Sequence, residues 1–196
     1  GQCRLWNIGT IPGGSLSEGA RWAQHPRIFT MADKTLDTLF HDTLKDIYYA
    51  ERKILKSLPK MQRAAQSPEL KAAFEKHQAQ TEGQIERLQQ VFELIGKPAR
   101  GKTCDAIEGI LAEGDEIAEE YKGTAALDAG LLAAAQAVEH YEITRYGTLK
   151  RWALVLGMKD AAKLLDETLQ EESQTDEDLT AIADAAVNAE AMQKAA

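Results

Sequence analysis

Apolar residues recur along most of this chain at the spacing of helices that face a core. Four segments between residues 35 and 187 place them at i, i+3, i+4 and i+7, which predicts four amphipathic helices. On three of these helices a glutamate stands in the middle of the apolar stripe: Glu51, Glu142 and Glu172. A lone ionised carboxylate costs several kcal/mol to bury, so each glutamate must be protonated, paired or bound to a metal. The second helix differs, because His77 and Thr81 occupy the middle of its stripe.

Capping residues and prolines in the sequence predict where the helices begin and end. Asp33 or Thr35 can cap the first helix, and Pro59 predicts a kink or break within it. Ser67 followed by Pro68 is a typical helix start and opens the second helix. The expected bounds are about 35–65, 68–95, 125–156, and from 159 past 179.

Residues 97–123 form a connection that is too long for a hairpin loop. Their middle repeats isoleucine and leucine at helical spacing across Gly109 and Gly114, which predicts a short crossover helix. Two helical hairpins joined by a long crossover are typical of ferritin-like proteins. We therefore predict an all-α protein, a ferritin-like antiparallel four-helix bundle whose crossover contains an extra short helix. The two hairpins also resemble each other weakly, with Thr81 aligned to Glu172.

The two ends of the chain differ from the rest. Residues 1–30 are rich in Gly, Pro and Trp and lack helical periodicity. We interpret them as a leader outside the domain, either a tag remnant or translated upstream sequence before Met31, or as an arm that packs on a neighbour. The predicted domain covers residues 31–187, and residues 188–196 are expected to be a frayed tail.

Composition narrows the class of protein. The net charge of −8 and the pI of about 5.1 argue against a nucleic-acid surface, since phosphate binding needs basic residues, but suit the attraction of metal cations. No stretch approaches the roughly 18 consecutive apolar residues of a membrane span. The two cysteines, Cys3 and Cys104, do not form a metal-binding spacing, and a reducing cytoplasm is the expected location.

Several carboxylates can share the interior with the central glutamates. Glu139 lies roughly 60° around the helix from Glu142, and Asp176 roughly 40° from Glu172. Glu82 flanks the second stripe. The candidate metal ligands are Glu51, Glu82, Glu139, Glu142, Glu172, Asp176 and His77. Carboxylate oxygens with one imidazole suit iron or manganese, and bridging carboxylates can hold two ions about 3.5–4 Å apart.

Each candidate also has an ordinary structural explanation. Glu51 can pair with Arg145 or Lys150 across the bundle, and His77 can be a hydrogen-bonded core histidine. Tyr146, one turn from Glu142, can serve for packing or can donate its hydroxyl to a ligand carboxylate. The usual ligand set of such bundles includes Glu-x-x-His on two helices, and this chain has no Glu-x-x-His.

The sequence resembles the YciE/YciF family, a ferritin-like group of bacterial stress-associated proteins. The resemblance is carried by LKDIYYAERKILKSLPKM (44–61), LKAAFEKHQAQTEGQIERLQQVFE (70–93), AAAQAVEHYEITRYGTL (133–149) and KLLDETLQEESQTDEDL (163–179). It implies a four-helix bundle, a homodimer and a di-iron centre. The family's motif glutamates carry over to Glu51, Glu82, Glu139, Glu142 and Glu172.

Two functions remain open at this point. One is a stress-protection protein with a dinuclear iron or manganese centre that reacts with dioxygen or hydrogen peroxide, or oxidises ferrous iron. The other is a non-enzymatic helical structural or interaction protein with a vestigial metal site. Both readings expect a cytoplasmic homodimer that binds neither nucleic acid nor membranes.

Overall fold

The computed structural model describes residues 34–192. Helices and their connections account for all of this range, which contains no β-strand. The elements are α1 (Leu36–Ala64), α2 (Pro68–Leu94), α3 (Asp105–Glu120), α4 (Leu127–Val155), α5 (Lys159–Ile182), a π-helical turn (Ala183–Val187) and α6 (Asn188–Ala191). The prediction of an all-α protein is confirmed.

The helices are arranged as a bundle of two hairpins. A short connection joins α1 to α2, another joins α4 to α5, and α1 also packs on α4 while α2 packs on α5. The long connection between the hairpins contains α3, which lies against α4 and α1. This is the predicted four-helix bundle with an extra helix in its crossover.

Local sequence signals explain most helix ends. The Thr35 side chain accepts a hydrogen bond from the Thr38 amide at 3.3 Å, and Ser67 caps α2 with Pro68 in its first turn. Gly157, with φ of 78°, ends the α4 segment in the left-handed region. The break expected at Pro59 does not occur, because α1 continues through it to Ala64.

Two predictions concern the ends of the chain, and the structure describes only one of the regions involved. The leader 1–30 lies outside the described residues, as do residues 193–196. The tail expected to be frayed from Asn188 instead begins with the short helix α6, none of whose residues is buried.

The bundle interior is a continuous apolar core. It includes Phe40, Leu44, Ile47, Ile54, Leu70, Phe74, Leu88, Phe92, Leu131, Leu149 and Leu165. Long and strongly apolar helices of the kind that cross a membrane do not occur within residues 34–192.

Contacts between the two hairpins fix the position of α4. Asp128, in the first turn of α4, accepts hydrogen bonds from the amides of Gln66 at 2.8 Å and Ser67 at 2.5 Å. Its carboxylate therefore satisfies amides at the start of α2 from another helix. Further along α4, a Cβ at Gly130 would lie only 2.6 Å from Cγ2 of Ile117, so α3 approaches α4 too closely for any larger residue.

The two glycines inside α4 should respond oppositely to alanine. Gly130→Ala forces Ile117 to move, and we expect the free energy of unfolding to fall by about 1–3 kcal/mol. Gly147→Ala meets no atom within 4 Å and should raise the free energy of unfolding by about 0.5–1 kcal/mol, because alanine favours the helix. Urea denaturation of both variants tests this, and equal shifts of the same sign would contradict the close approach of α3 to α4.

Candidate metal centre

Four glutamates and a histidine meet in the middle of the bundle. Glu51 comes from α1, His77 from α2, Glu139 and Glu142 from α4, and Glu172 from α5. All five side chains are buried, and none is more than 4% exposed. One possible ligand atom from each of His77, Glu139, Glu142 and Glu172 lies within 4.8 Å of the others. The four helices of the bundle thus each contribute to one polar cluster.

The apolar stripes explain why these side chains converge. Each residue stands among buried apolar neighbours on its own helix, such as Ile47 and Ile54 around Glu51. Because Glu139 and Glu142 are three positions apart, they share a face of α4. The packing that buries the stripes therefore turns the carboxylates inward as well.

Most polar atoms of the cluster lack a hydrogen-bond partner. Within the described residues, no donor or acceptor satisfies either oxygen of Glu142, either oxygen of Glu172 or either nitrogen of His77. His77 Nε2 lies 3.4 Å from Glu139 Oε1 and 4.0 Å from Glu142 Oε2, while Nδ1 lies 3.9 Å from Glu172 Oε2. Such buried atoms without partners are uncommon in folded proteins and call for an explanation.

Glu51 is the one carboxylate of the cluster with a clear donor. The Tyr146 hydroxyl donates to Glu51 Oε1, whereas Oε2 has no partner among the described residues. Tyr146 is itself completely buried. Of the two roles considered for this tyrosine, the structure supports the donor to a candidate ligand.

The salt bridges expected as an alternative do not form at the cluster. Arg145 lies 3.6 Å from Asp46, and Lys150 lies 2.6 Å from Asp166. Neither side chain is therefore engaged with Glu51.

Burial raises the pKa values of Glu51 and Glu172, and the charge of Arg87 partly opposes this rise. After burial, the charge of Lys76 also lowers the pKa of His77. The hydrogen bonds of Arg87 go to Thr168 and Glu171 instead. No lysine or arginine of residues 34–192 forms a salt bridge with Glu51, Glu139, Glu142 or Glu172.

Burial shifts the pKa values of all five groups, and repulsion between the carboxylates adds to the shift of the glutamates. Loss of water and the neighbouring Glu172 raise the pKa of Glu51 to about 8, and burial raises the pKa of Glu172 to about 7. Burial and neighbouring carboxylates hold the pKa of Glu139 and of Glu142 well above the usual range. Burial lowers the pKa of His77 to about 4. Without a metal, the cluster near neutral pH contains a neutral imidazole and carboxyl groups that keep their protons to a much higher pH than exposed ones do.

Two predicted ligands lie outside the cluster. Glu82 is exposed, because it is displaced by roughly 100° on α2 from the buried Thr81. Asp176 accepts a hydrogen bond from Gln136 at 3.1 Å and lies 3.3 Å from His140, with 22% of its side chain exposed. The structure thus brings five of the seven candidates together and places Glu82 and Asp176 outside this group of five.

Sequence reasoning gave no role to Arg87 or to its partner Glu171. The only signal was that Arg87 lies one position before the buried Leu88, next to the apolar stripe of α2. Its contacts with Thr168 and Glu171 on α5 depend on which helix neighbours α2, and the sequence of α2 does not contain that information.

The chemistry of the donor set suits hard divalent ions. Four carboxylates and one imidazole match the ligand preferences of iron and manganese. Two divalent cations would neutralise the total charge of −4 that the four buried glutamates carry when all of them are ionised. Metal ions would also engage the carboxylate oxygens and imidazole nitrogens that have no partner.

A family model and a curated protein from Escherichia coli both match most of this chain. Residues 35–192 match a family model described as a domain of unknown function, DUF892. Protein YciF of Escherichia coli strain K12 is 44% identical over 163 residues, which cover 83% of this chain and 98% of that protein.

Solved structures agree with the fold. The E. coli stress protein YciF matches with a TM-score of 0.76 at 44% identity, over 79% of this chain and 98% of that chain. YcfI from Rhodopseudomonas palustris matches with a TM-score of 0.75 at 44% identity, over 78% and 97%. A Xanthomonas campestris protein at 22% identity has a TM-score of 0.62 over 80% and 96%, a likeness of fold alone. The family model and the identity to YciF cover most of the chain, which therefore belongs to the YciF family.

Proposed function

We propose that this protein is a redox protein of the bacterial stress response that holds two iron or manganese ions in the buried cluster. The observation that carries the proposal is the set of buried carboxylate and imidazole atoms without partners on Glu142, Glu172 and His77. The proposed role in stress follows the description of the E. coli relative as a stress protein.

The residues divide into two ligand groups. His77, Glu139, Glu142 and Glu172 would hold one ion, since their ligand atoms already lie together. Glu51 would hold the second ion, together with a carboxylate that both ions share. Glu142 is suited to that role because, after burial, the charge of Glu51 is the largest cause of its raised pKa, which indicates that the two carboxyl groups are neighbours.

The protein's own residues would prepare the site in three ways. Tyr146 orients Glu51 through its hydroxyl. The apolar helix faces around the cluster exclude water, which strengthens electrostatic interactions inside. The carboxyl groups release their protons when the ions bind, because metal ligands must be deprotonated. When bound, two ferrous ions supply two electrons, and with two protons these reduce hydrogen peroxide to two waters.

A second function is favoured by the pairing of the carboxyl groups. After burial, the charge of Glu51 is the largest cause of the raised pKa of Glu142, and the charge of Glu172 is the largest cause for Glu139, so these carboxyl groups form two interacting pairs. One proton shared in each pair would reduce the buried charge without any metal. A helical structural or interaction protein with a vestigial metal site is therefore the alternative, and the absence of Glu-x-x-His agrees with it.

Metal content distinguishes the two functions. We expect the protein purified without chelator, or reconstituted with ferrous iron, to contain about two iron or manganese ions per chain. Glu142→Ala should lose most of this metal, because it removes the proposed shared ligand. Glu82→Ala is the matched control and should keep the metal, since Glu82 is exposed on the same bundle. Elemental mass spectrometry measures all three.

Two results would contradict the metal centre. A wild-type protein with less than about a tenth of an equivalent of metal, even after reconstitution, would favour the alternative. Equal metal loss in Glu142→Ala and Glu82→Ala would show that the metal binds elsewhere. The alternative further predicts that Glu142→Gln leaves the stability of the metal-free protein unchanged or higher, because the pKa of Glu142 is held well above its usual range and the neutral amide replaces a carboxyl group of similar shape that is already protonated.

The metal-free protein should lose stability as the pH rises from about 6.5 to about 8. The folded pKa values of about 8 for Glu51 and about 7 for Glu172 lie above the ordinary value of 4.5. The folded state therefore binds more protons than the unfolded chain in this range, and the free energy of unfolding should fall by about 1–3 kcal/mol. The pKa of His77, lowered from 6.5 to about 4, acts oppositely but only below pH 6.5.

Denaturation at a series of pH values measures this slope. Glu51→Gln should flatten it, because one of the titrating groups is removed. Loading with iron or manganese should abolish or reverse it, since bound ions keep the carboxylates ionised in the folded state. Metal-free stability that rises between pH 6.5 and 8 would contradict the raised carboxyl pKa values.

A further inference from the structure

A cavity of about 40 Å³ reaches the cluster from one side of the bundle. Its lining includes His77 and Glu139, which are buried in the cluster, and Asp115, which is exposed on α3. The cavity is several times larger than the roughly 10–15 Å³ that one water molecule needs. It therefore has room for a small molecule beside the candidate metal ligands.

The other walls are mainly apolar. They are formed by side chains of all five long helices, among them Ile54, Phe74, Leu111, Val138 and Leu179. Besides His77, Glu139 and Asp115, the lining has the polar residues Ser57 and Thr175. An apolar cavity of this kind offers water few hydrogen bonds, and such cavities stay dry and bind apolar ligands or xenon.

We propose that this cavity is a binding site and entry route for dioxygen on its way to the metal centre. The proposal rests on the proposed function and selects one of the two oxidants that the proposed function leaves open. Dioxygen is small and apolar, so it loses no hydrogen bonds on entering. Hydrogen peroxide and ferrous ions would lose their hydration along the apolar walls, which is unfavourable.

The pairing of Asp115 agrees with an apolar ligand. Asp115 forms a salt bridge with Lys60 at 2.9 Å, so the exposed carboxylate of the lining is paired with a cation of α1. This pairing weakens the attraction of the carboxylate for a metal cation.

Gly114 keeps the cavity open. This buried residue of α3 lines the cavity, and a Cβ at its position would lie 3.4 Å from Ala134 Cβ and 3.7 Å from Met61 Cε. A leucine there would project into the space, whereas an alanine adds only a methyl group at ordinary contact distance. Gly109 on the same helix is the matched control, because it is exposed and a Cβ there meets nothing within 4 Å.

Xenon binding tests the cavity without any metal. We expect xenon to bind the metal-free full-length protein at this cavity, seen in crystals under xenon pressure or as a saturable shift in xenon NMR. Gly109→Leu should retain the xenon and Gly114→Leu should lose it. If Gly114→Leu does not fold, Gly114→Ala should still weaken binding relative to Gly109→Ala. Absence of xenon from this cavity in the wild-type protein would overturn the proposal.

Stopped-flow oxidation of the ferrous-loaded protein tests the route. Gly114→Leu should slow the reaction with dioxygen by roughly tenfold or more relative to Gly109→Leu. The reaction with hydrogen peroxide and the iron content should change less than about twofold. Equal slowing with both oxidants, or no slowing with dioxygen, would overturn the proposal.

The two measurements separate this proposal from the proposed function. A protein that binds no iron fails the proposed function and with it the oxygen route, even if xenon enters the cavity. A protein that binds two ions and reacts with dioxygen equally fast in both leucine variants keeps the proposed function, and only the route through this cavity is rejected.

Discussion

Burying a carboxylate costs several kcal/mol unless a proton, a cation or a set of donors compensates it. This bundle buries Glu51, Glu139, Glu142 and Glu172 at one level and supplies a single clear donor, the hydroxyl of Tyr146. The surrounding apolar residues cannot compensate the charge, and most nearby cations pair with surface carboxylates. Protons in the cluster would compensate this cost, and so would the metal ions that we propose, which would compete with the protons for the same oxygen atoms. Every chemical property proposed for the protein depends on that competition.

The pKa values, and with them the competition between protons and metal ions, differ among the four carboxyl groups of the cluster. Arg87 holds down the pKa values of Glu51 and Glu172, which still rise to about 8 and about 7. The causes of the raised pKa values of Glu139 and Glu142 do not include this cation. Glu172 and Glu51 therefore ionise closest to neutral pH, and they are the carboxylates best prepared to meet an incoming cation. Arg87 itself is fixed by Thr168 and Glu171, so this bias is built into the contact between α2 and α5.

Helical periodicity was sufficient to predict the bundle, its crossover helix and the five residues of the cluster, because burial follows from position on an apolar stripe. Periodicity was insufficient to predict the environment of residues that flank an apolar stripe. Glu82 is one residue from a buried position, and the rotation of roughly 100° places it in solvent. Asp176 had a suitable angle, but it interacts with Gln136 and His140 of α4. Contacts of this kind depend on side chains from another helix, and the spacing within one helix carries no information about them.

Comparison of the two similar hairpins shows that the cluster has different ligand types on its two sides. Thr81 aligns with Glu172, and both are fully buried at their positions on α2 and α5. The α2 position therefore lacks a carboxylate, and His77, one turn earlier, supplies the only donor from that helix. An ion beside His77 would have mixed nitrogen and oxygen ligands, whereas an ion beside Glu51 would have carboxylates alone, so the two positions differ in affinity and reactivity. His77 and Glu139 line the cavity whereas Glu51 does not, so the proposed oxygen route would reach the cluster on the side of the mixed ligands.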